Sequence, residues 1–299
     1  MKIALTLKRT RRLALTEGII AGTLFGTASI FIRFLMQLDT FSIAFWRLVI
    51  ASAILTLILA VIRKNLKFSS ITRNLLKDLT ILGIFLGLHF IFFVSAVKDT
   101  TILNATVLVN TTPIFSMLIS SFFFKIKPSR LALFGLVISF SGACIIAYAE
   151  ASPSGFSPNI KGDLEAVLAA IVEAFYLNFG RKTRNQMPLL STMLPIYIMA
   201  ALIVGIISIP AGHTLTVPLK AEILVPLICL GFLPTAMAHT LYFSSLSNLK
   251  SFETATMALL EPIGATTLGI LIFHEVPQGM FVFGAFLILL GILFVAKEK

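Results

Sequence analysis

The sequence predicts an all-α membrane protein of ten transmembrane helices, arranged as two inverted five-helix repeats. Three observations predict this fold. The composition is 58% hydrophobic and 12% charged, whereas a soluble domain carries about 25% charged residues. Apolar runs long enough to cross roughly 30 Å of hydrocarbon follow one another along the chain. The second half of the chain also repeats prolines and glycines of the first half.

The internal repeat is clearest at an offset of 149 residues, where Pro113 aligns with Pro262. Near the start of each half the offset is 148, which aligns Glu17 with Glu165. Prolines and glycines mark kinks and close packing, so their register indicates duplication, which is typical of secondary transporters. The other matched pairs are Arg33 with Arg181, Phe124 with Phe273, Pro128 with Pro277, Gly135 with Gly284, and Gly142 with Gly291.

The predicted spans define two units and a connection between them. We expect a first repeat at 15–149, a linker rich in Pro, Ser and Gly at 150–161, and a second repeat at 162–296. Five spans is an odd number, so the second repeat must lie upside down relative to the first. The first span is longer than a signal-peptide core, and we expect it to be retained. In order, the spans cover 15–36, 40–62, 79–97, 101–124, 131–149, 162–181, 188–210, 222–247, 251–273 and 277–296.

Basic residues predict the orientation of this bundle. Most of the 24 Lys and Arg residues lie near the two termini and in the connections after spans two, four, six and eight. By the positive-inside rule, we expect a cytoplasmic-membrane protein with both termini in the cytoplasm. The basic residues are scattered over short loops, so we expect no nucleic acid partner. Cys144 and Cys229 lie in apolar runs without CxxC spacing, and we expect neither a metal nor a cofactor.

Glycine and proline positions indicate where helices pack closely or bend. Gly18, Gly22 and Gly26 recur every four residues in span one, and the smooth face they form fits static packing or a sliding surface. Pro113 and Pro262 each remove a backbone donor within a span, so those helices should kink or open. Such a kink either shapes the bundle alone or lines a cavity that covers the freed carbonyl.

Two acids at membrane depth are the first candidate functional residues. Glu173 and Glu261 lie near the middle of spans six and nine, where an ionisable group costs roughly 2.5–3.5 kcal/mol on insertion scales. Glu165 and Glu253 lie eight residues earlier on the same spans, within roughly 80° of these acids around the helix axis. They either share that polar face or, as first-turn acids, simply complement the helix dipole.

Other polar groups lie at comparable depth. Arg47 could hold a substrate carboxylate or could brace the bundle through an ion pair. His89 and His239 occupy nearly equivalent repeat positions and fit either a proton pathway or an interhelical hydrogen bond. Further polar side chains that could line the pathway are Asn110, Tyr176 and Asn178. Most of the 27 phenylalanines are expected to face lipid or fill the interior, and they single out no site.

Several segments carry a resemblance to a known family. The segments 105–115 and 254–263, the turn at 275–279 with Gly284 and Gly291 after it, and Trp46-Arg47 resemble the EamA branch of the drug/metabolite transporter superfamily. In the first repeat, Ile126 stands at the position of the turn acid Glu275. The resemblance implies a ten-helix inverted-repeat carrier of small metabolites, often an exporter of amino acids or related compounds.

Two functional hypotheses follow. In the first, a zwitterionic or cationic solute or a drug binds between the halves and crosses by alternating access, with protons as a candidate coupling ion. In the second, the buried acids belong to an intramembrane lipid-modifying transferase. The sequence holds no HExxH motif, acid cluster or Ser/His/Asp grouping typical of such enzymes, which favours the carrier. The sequence contains no repeated selectivity-filter motif of the kind that would indicate a channel.

Overall fold

The computed structural model describes residues 9–62, 72–149, 159–273 and 279–298. Every regular element in these ranges is helical. Much of the predicted linker and residues 274–278, with the Glu275 turn, lie outside the described residues. The helices are α1 (Arg11–Phe25), α2 (Ala28–Phe34), α3 (Thr40–Val61), α4 (Arg73–Asp99), α5 (Ile102–Val109), α6 (Thr112–Phe122), α7 (Arg130–Ala149), α8 (Ile160–Thr183), α9 (Leu189–Ser208), α10 (Ala221–Leu230), α11 (Thr240–Ser245), α12 (Ser251–Met257), α13 (Glu261–Phe273) and α14 (Gly279–Ala296).

Seven helical stretches of the described chain are long and apolar enough to cross a bilayer. The protein is therefore embedded in a membrane through several helices. Three further helical stretches, α7, α8 and α12–α13, are packed among these seven. The seven stretches are Arg11–Phe34, Thr40–Val61, Arg73–Asp99, Asn104–Phe122, Leu189–Ser208, Ala221–Ser245 and Gly279–Ala296.

The helical stretch that contains Pro113 is interrupted at residues 110–111, between α5 and α6. α5 ends at Val109, and α6 begins at Thr112 with Pro113 in its first turn. Proline suits that position because the first turn of a helix needs no backbone donor from it. The Thr112 hydroxyl donates to the Val109 carbonyl over 2.8 Å. A backbone acceptor freed at membrane depth is thereby satisfied by the adjacent side chain.

Two stretches of the second half also depart from α geometry. A 3-10 turn, Ala258–Leu260, separates α12 from α13, whose second residue is Pro262. A π-helical segment, Gly231–His239, contains Pro234 and joins α10 to α11. Proline alone does not cause such a break, because Pro195 lies inside the continuous helix α9. Most residues of these irregular segments are buried against protein neighbours, as backbone at membrane depth requires, although Phe232 is exposed.

The glycine face of α1 lies directly on the interrupted segment between α12 and α13. A Cβ at Gly22 would stand 1.9 Å from the Met257 carbonyl oxygen, and one at Gly26 would stand 2.6 Å from that of Glu261. From the other side, a Cβ at Gly264 would stand 2.2 Å from the carbonyl oxygen of Thr23. The two backbones therefore touch without intervening side chains, and α1 sets the position of the backbone that carries Glu261.

Matched glycines also join α7 to α14. A Cβ at Gly135 would stand 2.6 Å from the Gly291 carbonyl oxygen, and one at Gly142 would stand 2.6 Å from that of Gly284. The residue number rises along one helix as it falls along the other, so the helices are antiparallel. Gly135 is the repeat partner of Gly284, and Gly142 is that of Gly291. Exchanging the two repeats therefore converts one contact into the other.

Other helix contacts also correspond when the two repeats are exchanged. α4 packs against α8 and α9. Its repeat counterpart, the stretch from α10 to α11, packs against α1 and α3. Two halves built from one ancestral unit and packed across a twofold axis produce this pattern.

Ion pairs tie both ends of the described chain to one face of the bundle, called here the terminal face. Arg9 pairs with Glu17 at 2.8 Å, and Arg11 pairs with the buried carboxylate of Glu253. Near the other end, Glu298 accepts from Lys250 at 2.6 Å and from the backbone of Ser129 at 3.1 Å. These contacts hold the starts of α7 and α12 against the end of α14.

Close glycine packing predicts opposite outcomes for two substitutions. Gly142→Ala should destabilise the protein by about 1–3 kcal/mol, because its Cβ meets backbone that cannot move aside. The matched variant Gly205→Ala lies in α9, where the nearest atom would be a side-chain carbon of Phe45 at 3.4 Å. Alanine's higher helix propensity should stabilise it there by up to about 1 kcal/mol. Unfolding in detergent measures both, and equal effects would contradict the backbone contact.

Glu298 predicts an acid-sensitive contribution to stability. Partial burial alone would raise its pKa, but the hydrogen bonds from Lys250 and Ser129 outweigh it and hold the pKa below the usual 4.5. The contribution is therefore complete above pH 4.5 and is lost as the pH falls through the lowered native pKa. Glu298→Gln should cost about 1–3 kcal/mol near neutral pH.

The measurement is unfolding in detergent as a function of pH. The difference between the parent and Glu298→Gln should shrink in acid. Glu222 is the matched control, since its side chain is 72% exposed and 3.9 Å from Lys220. Glu222→Gln should change stability by no more than about 0.5 kcal/mol at any pH. A pH-independent loss in Glu298→Gln would show that the charge is not responsible.

Candidate functional site

A cavity of about 30 Å³ lies where the interrupted helices meet, and it is called here the central cavity. A cavity of this size holds about one water molecule, so a larger solute requires the surrounding helices to move apart. Its walls combine a few polar groups with apolar side chains. The polar lining residues are Arg47, His89, Asn110, Thr112, Glu173, His239 and Glu261, and the apolar ones are Phe25, Ala28, Phe90, Phe93, Val109 and Ala258.

The helix break between α5 and α6 contacts both buried acids. Asn110 Nδ2 donates to Glu261 Oε2 over 3.3 Å, and Thr112 Oγ1 lies 3.2 Å from Glu173 Oε2. Both acids come from the second half of the chain, whereas the break belongs to the first half. The other carboxylate oxygen of Glu261 has no hydrogen-bond partner among the described residues. That oxygen is available to a bound solute.

Arg47 supplies the positive charge of the cavity. Its Nε donates to Thr235 Oγ1 over 3.0 Å, and its guanidinium lies 3.9 Å from the centre of the Phe90 ring. No ion pair joins Arg47 to a carboxylate within the described ranges, and its Nη1 lacks a hydrogen-bond partner there. Arg47 is 1% exposed. A guanidinium held by a hydroxyl and a ring, with one nitrogen unpartnered, can receive an anionic group.

The two histidines lie side by side in the same cavity, with ring centres 5.9 Å apart. His89 Nδ1 is 3.1 Å from the Ala169 carbonyl oxygen and 3.8 Å from Glu173 Oε2. The carbonyl oxygen is an acceptor, so His89 donates to it from Nδ1. His239 packs against the rings of Phe25 and Phe90, and its Nδ1 has no hydrogen-bond partner within the described structure.

The remaining polar candidates lie elsewhere. The Tyr176 hydroxyl contacts the sulfur of Met193 at 3.9 Å, and Asn178 lines a second cavity nearer the terminal face. Glu165 lies 3.8 Å from Lys161. The expectation that Glu165 lies in the first turn is wrong, because α8 begins at Ile160 and the acid of its first turn is Asp163. Glu253 accepts from the Lys250 backbone over 2.5 Å and so caps the start of its own helix.

Sequence reasoning missed several residues that line the central cavity or support its charged side chains. Thr112 and Thr235 each position a charged side chain, and each adjoins a proline within a span, which is the signal that could have found them. Phe25, Phe90 and Phe93 are exceptions to the expectation that most phenylalanines face lipid or fill space, since they line the central cavity. Aromatic walls of this kind bind apolar parts of a ligand or a cation.

Comparison with known proteins decides the family. The EamA-like transporter family model matches residues 13–148 and again residues 160–297. The chain belongs to the EamA-like transporter family. It is a membrane transporter of the drug/metabolite type.

Individual relatives agree with this assignment. An uncharacterized transporter of Archaeoglobus fulgidus is 26% identical over 94% of each chain. An uncharacterized transporter of Bacillus subtilis is 24% identical over 66% of this chain and 61% of its own. A crystal structure of a protein shares the fold with a TM-score of 0.79 and 18% identity, covering 96% of this transporter and 97% of its own chain.

We expect Thr112→Val to destabilise the protein, because it removes a hydrogen-bonding group at the break between α5 and α6. The variant keeps the side-chain shape but removes the hydroxyl that serves Val109 and Glu173, which should cost about 1–3 kcal/mol. Unfolding in detergent measures this cost. The matched variant Thr56→Val removes an exposed hydroxyl bonded to Ser52 over 2.8 Å, and it should change stability by no more than about 0.5 kcal/mol. Equal losses in the two variants would rule out a special role for Thr112.

Proposed function

We propose that this protein is a secondary transporter that carries a small zwitterionic or cationic solute, an amino acid-like metabolite or a drug, out of the cell by alternating access. The observation that carries this proposal is the central cavity, where Arg47 and Glu261 each present a buried atom without a partner in the described chain. Opposite charges with unfilled hydrogen-bonding capacity favour a solute that carries both a carboxylate and an ammonium group. A cation would use the carboxylates alone.

The transport mechanism requires the two halves to be inverted. We propose ten spans, comprising the seven membrane-length stretches together with α7, α8 and α12–α13, in repeats at 15–149 and 162–296 joined by the linker at 150–161. Support comes from the α7–α14 contact, whose glycine pairs exchange under a twofold. A twofold that exchanges antiparallel helices is perpendicular to them, and so lies in the membrane plane.

Charge supports the orientation of the bundle. Arg9, Arg11, Arg184 and Lys250 lie at the terminal face. We propose that this face is cytoplasmic in the cytoplasmic membrane, since short cytoplasmic loops carry an excess of basic residues.

Hydrogen-bond geometry favours Glu173 as the site of a coupling proton. The one proton of the Thr112 hydroxyl is directed to the Val109 carbonyl at 2.8 Å, and His89 donates from Nδ1 to Ala169. A carboxylate at Glu173 would have few donors, whereas a protonated carboxyl can donate to the Thr112 oxygen. Loss of that proton would favour a change of contacts around α6 and α8. Glu261 would then be left to meet the solute.

Charge-removing variants test this division of roles. In proteoliposomes, Glu261→Gln should raise the solute concentration for half-maximal transport about tenfold, equivalent to about 1.4 kcal/mol of binding. Glu173→Gln should instead abolish the response to an imposed proton gradient. Transport of labelled amino acids and of an organic cation is measured between roughly pH 5 and pH 8, the range in which buried groups couple protons to transport.

Controls separate transport from other activities. Glu222→Gln changes a side chain 72% exposed and should match the parent. Transport that keeps its affinity and pH response in both buried variants would remove these acids from the mechanism. New lipid products in the same vesicles, detected by thin-layer analysis and lost in the variants, would favour the transferase hypothesis.

A further inference from the structure

A second cavity, of about 250 Å³, lies on the terminal face and is called here the vestibule. Ser247, which receives a hydrogen bond from Arg9 over 3.0 Å, forms part of its wall. Arg181 and Lys182 also line it, and its described lining contains no acidic residue. A recess with two positive charges and no negative one attracts anionic groups.

A set of hydrogen bonds between three helices lies at the inner end of the vestibule. Asn178 of α8 donates to Ser116 Oγ of α6 over 3.1 Å and accepts from Ser251 Oγ of α12 over 2.7 Å. All three residues are buried. They are called here the asparagine node.

The node lies between the two cavities. Asn178 and Ser251 line the vestibule, whereas Thr112 and Glu173 line the central cavity. Ser116 follows Thr112 by four residues on α6, and Asn178 follows Glu173 by five on α8. At 1.5 Å per residue, the separation is about 6–7.5 Å, which is one layer of side chains.

The helices that carry the two serines are suited to move. α6 begins immediately after the break at Asn110–Thr111, and α12 ends at the 3-10 turn. Each can tilt about its break while the other half of its span stays in place, as hinges at element ends allow. α8 is continuous past Asn178, so the node ties two short half-helices to one long helix through neutral hydrogen bonds alone.

We propose that the asparagine node is the gate that separates the vestibule from the central cavity, and that the vestibule receives the anionic group of the solute. This gate rests on the transport function proposed above. When the node opens, α6 and α12 tilt away from α8. The Glu173–Thr112 contact, one layer deeper, then lies at the end of a continuous path from the terminal face.

Thiol labelling tests the gate without any transported solute. In a protein with Cys144→Ala and Cys229→Ala, the reporter Ala28→Cys lines the central cavity and Ser247→Cys lines the vestibule. A membrane-impermeant methanethiosulfonate is added to sealed vesicles of either orientation, and the orientation that labels Ser247→Cys identifies the terminal face. From that face, Asn178→Ala should raise the labelling rate of Ala28→Cys about tenfold, since loss of a few hydrogen bonds shifts a two-state equilibrium by about this factor.

Matched variants keep this test decisive. Asn185→Ala removes another asparagine of the vestibule wall, bonded to the Ser247 carbonyl at 3.4 Å, and should leave labelling of Ala28→Cys unchanged. Should Asn178→Ala not fold, Ser251→Ala removes a single bond of the node and should give a smaller increase. Unchanged labelling of Ala28→Cys in a folded node variant, with Ser247→Cys still reactive, would overturn the gate. Neither result depends on whether the protein transports the solutes assayed above.

Reagent charge tests the chemistry of the vestibule. Relative to a small free thiol, Ser247→Cys should react about threefold or more faster with an anionic methanethiosulfonate than with a cationic one of similar size at low ionic strength. Arg181→Gln combined with Lys182→Gln should abolish the preference. Absence of any preference in the parent would overturn the anionic assignment.

Discussion

A short break in one helix contacts both acids of the central cavity of this transporter. Unpaired polar groups are costly in hydrocarbon, so an acidic side chain at membrane depth must find hydrogen-bond partners within the protein. Asn110 lies in the break between α5 and α6 and contacts Glu261. Thr112, the first residue of α6, contacts Glu173. In a regular helix the backbone groups would bond within the helix, and the side chains of Asn110 and Thr112 would point in other directions. The irregular backbone and the buried charges therefore depend on each other.

The same dependence holds on the opposite side of the cavity. The π-helical segment Gly231–His239 presents Thr235, whose hydroxyl bonds to both Arg47 and the Leu230 carbonyl. Tyr197 donates to the Thr235 carbonyl over 2.8 Å, which ties this segment to α9. Arg47 can remain uncompensated by a carboxylate because hydroxyl and ring contacts replace part of its hydration. The cavity thus combines firmly held side chains with polar atoms that have no hydrogen-bond partner among the described residues.

Sequence reasoning found the chemistry of the cavity but not its geometry. Glu173, Glu261, Arg47, His89, His239 and Asn110 stand out because charged or polar groups at span depth are rare, and all of them line the central cavity. Depth alone cannot give the direction of a side chain, so Tyr176 and Asn178 could not be separated from that set. Proline did not suffice to locate breaks either, since Pro195 lies in a continuous helix whereas Pro113 follows an interruption. Whether neighbours replace the lost donor depends on tertiary packing.

The glycine contact between α7 and α14 has a consequence for how the halves associate. Gly135 and Gly142 meet the repeat partners of one another, so each half presents a self-complementary surface. Isologous contacts of this kind are the basis of homodimers. A single repeat therefore already carries the surface needed to pack against an antiparallel copy of itself, and fusion into one polypeptide secures a one-to-one pairing that such a surface makes possible.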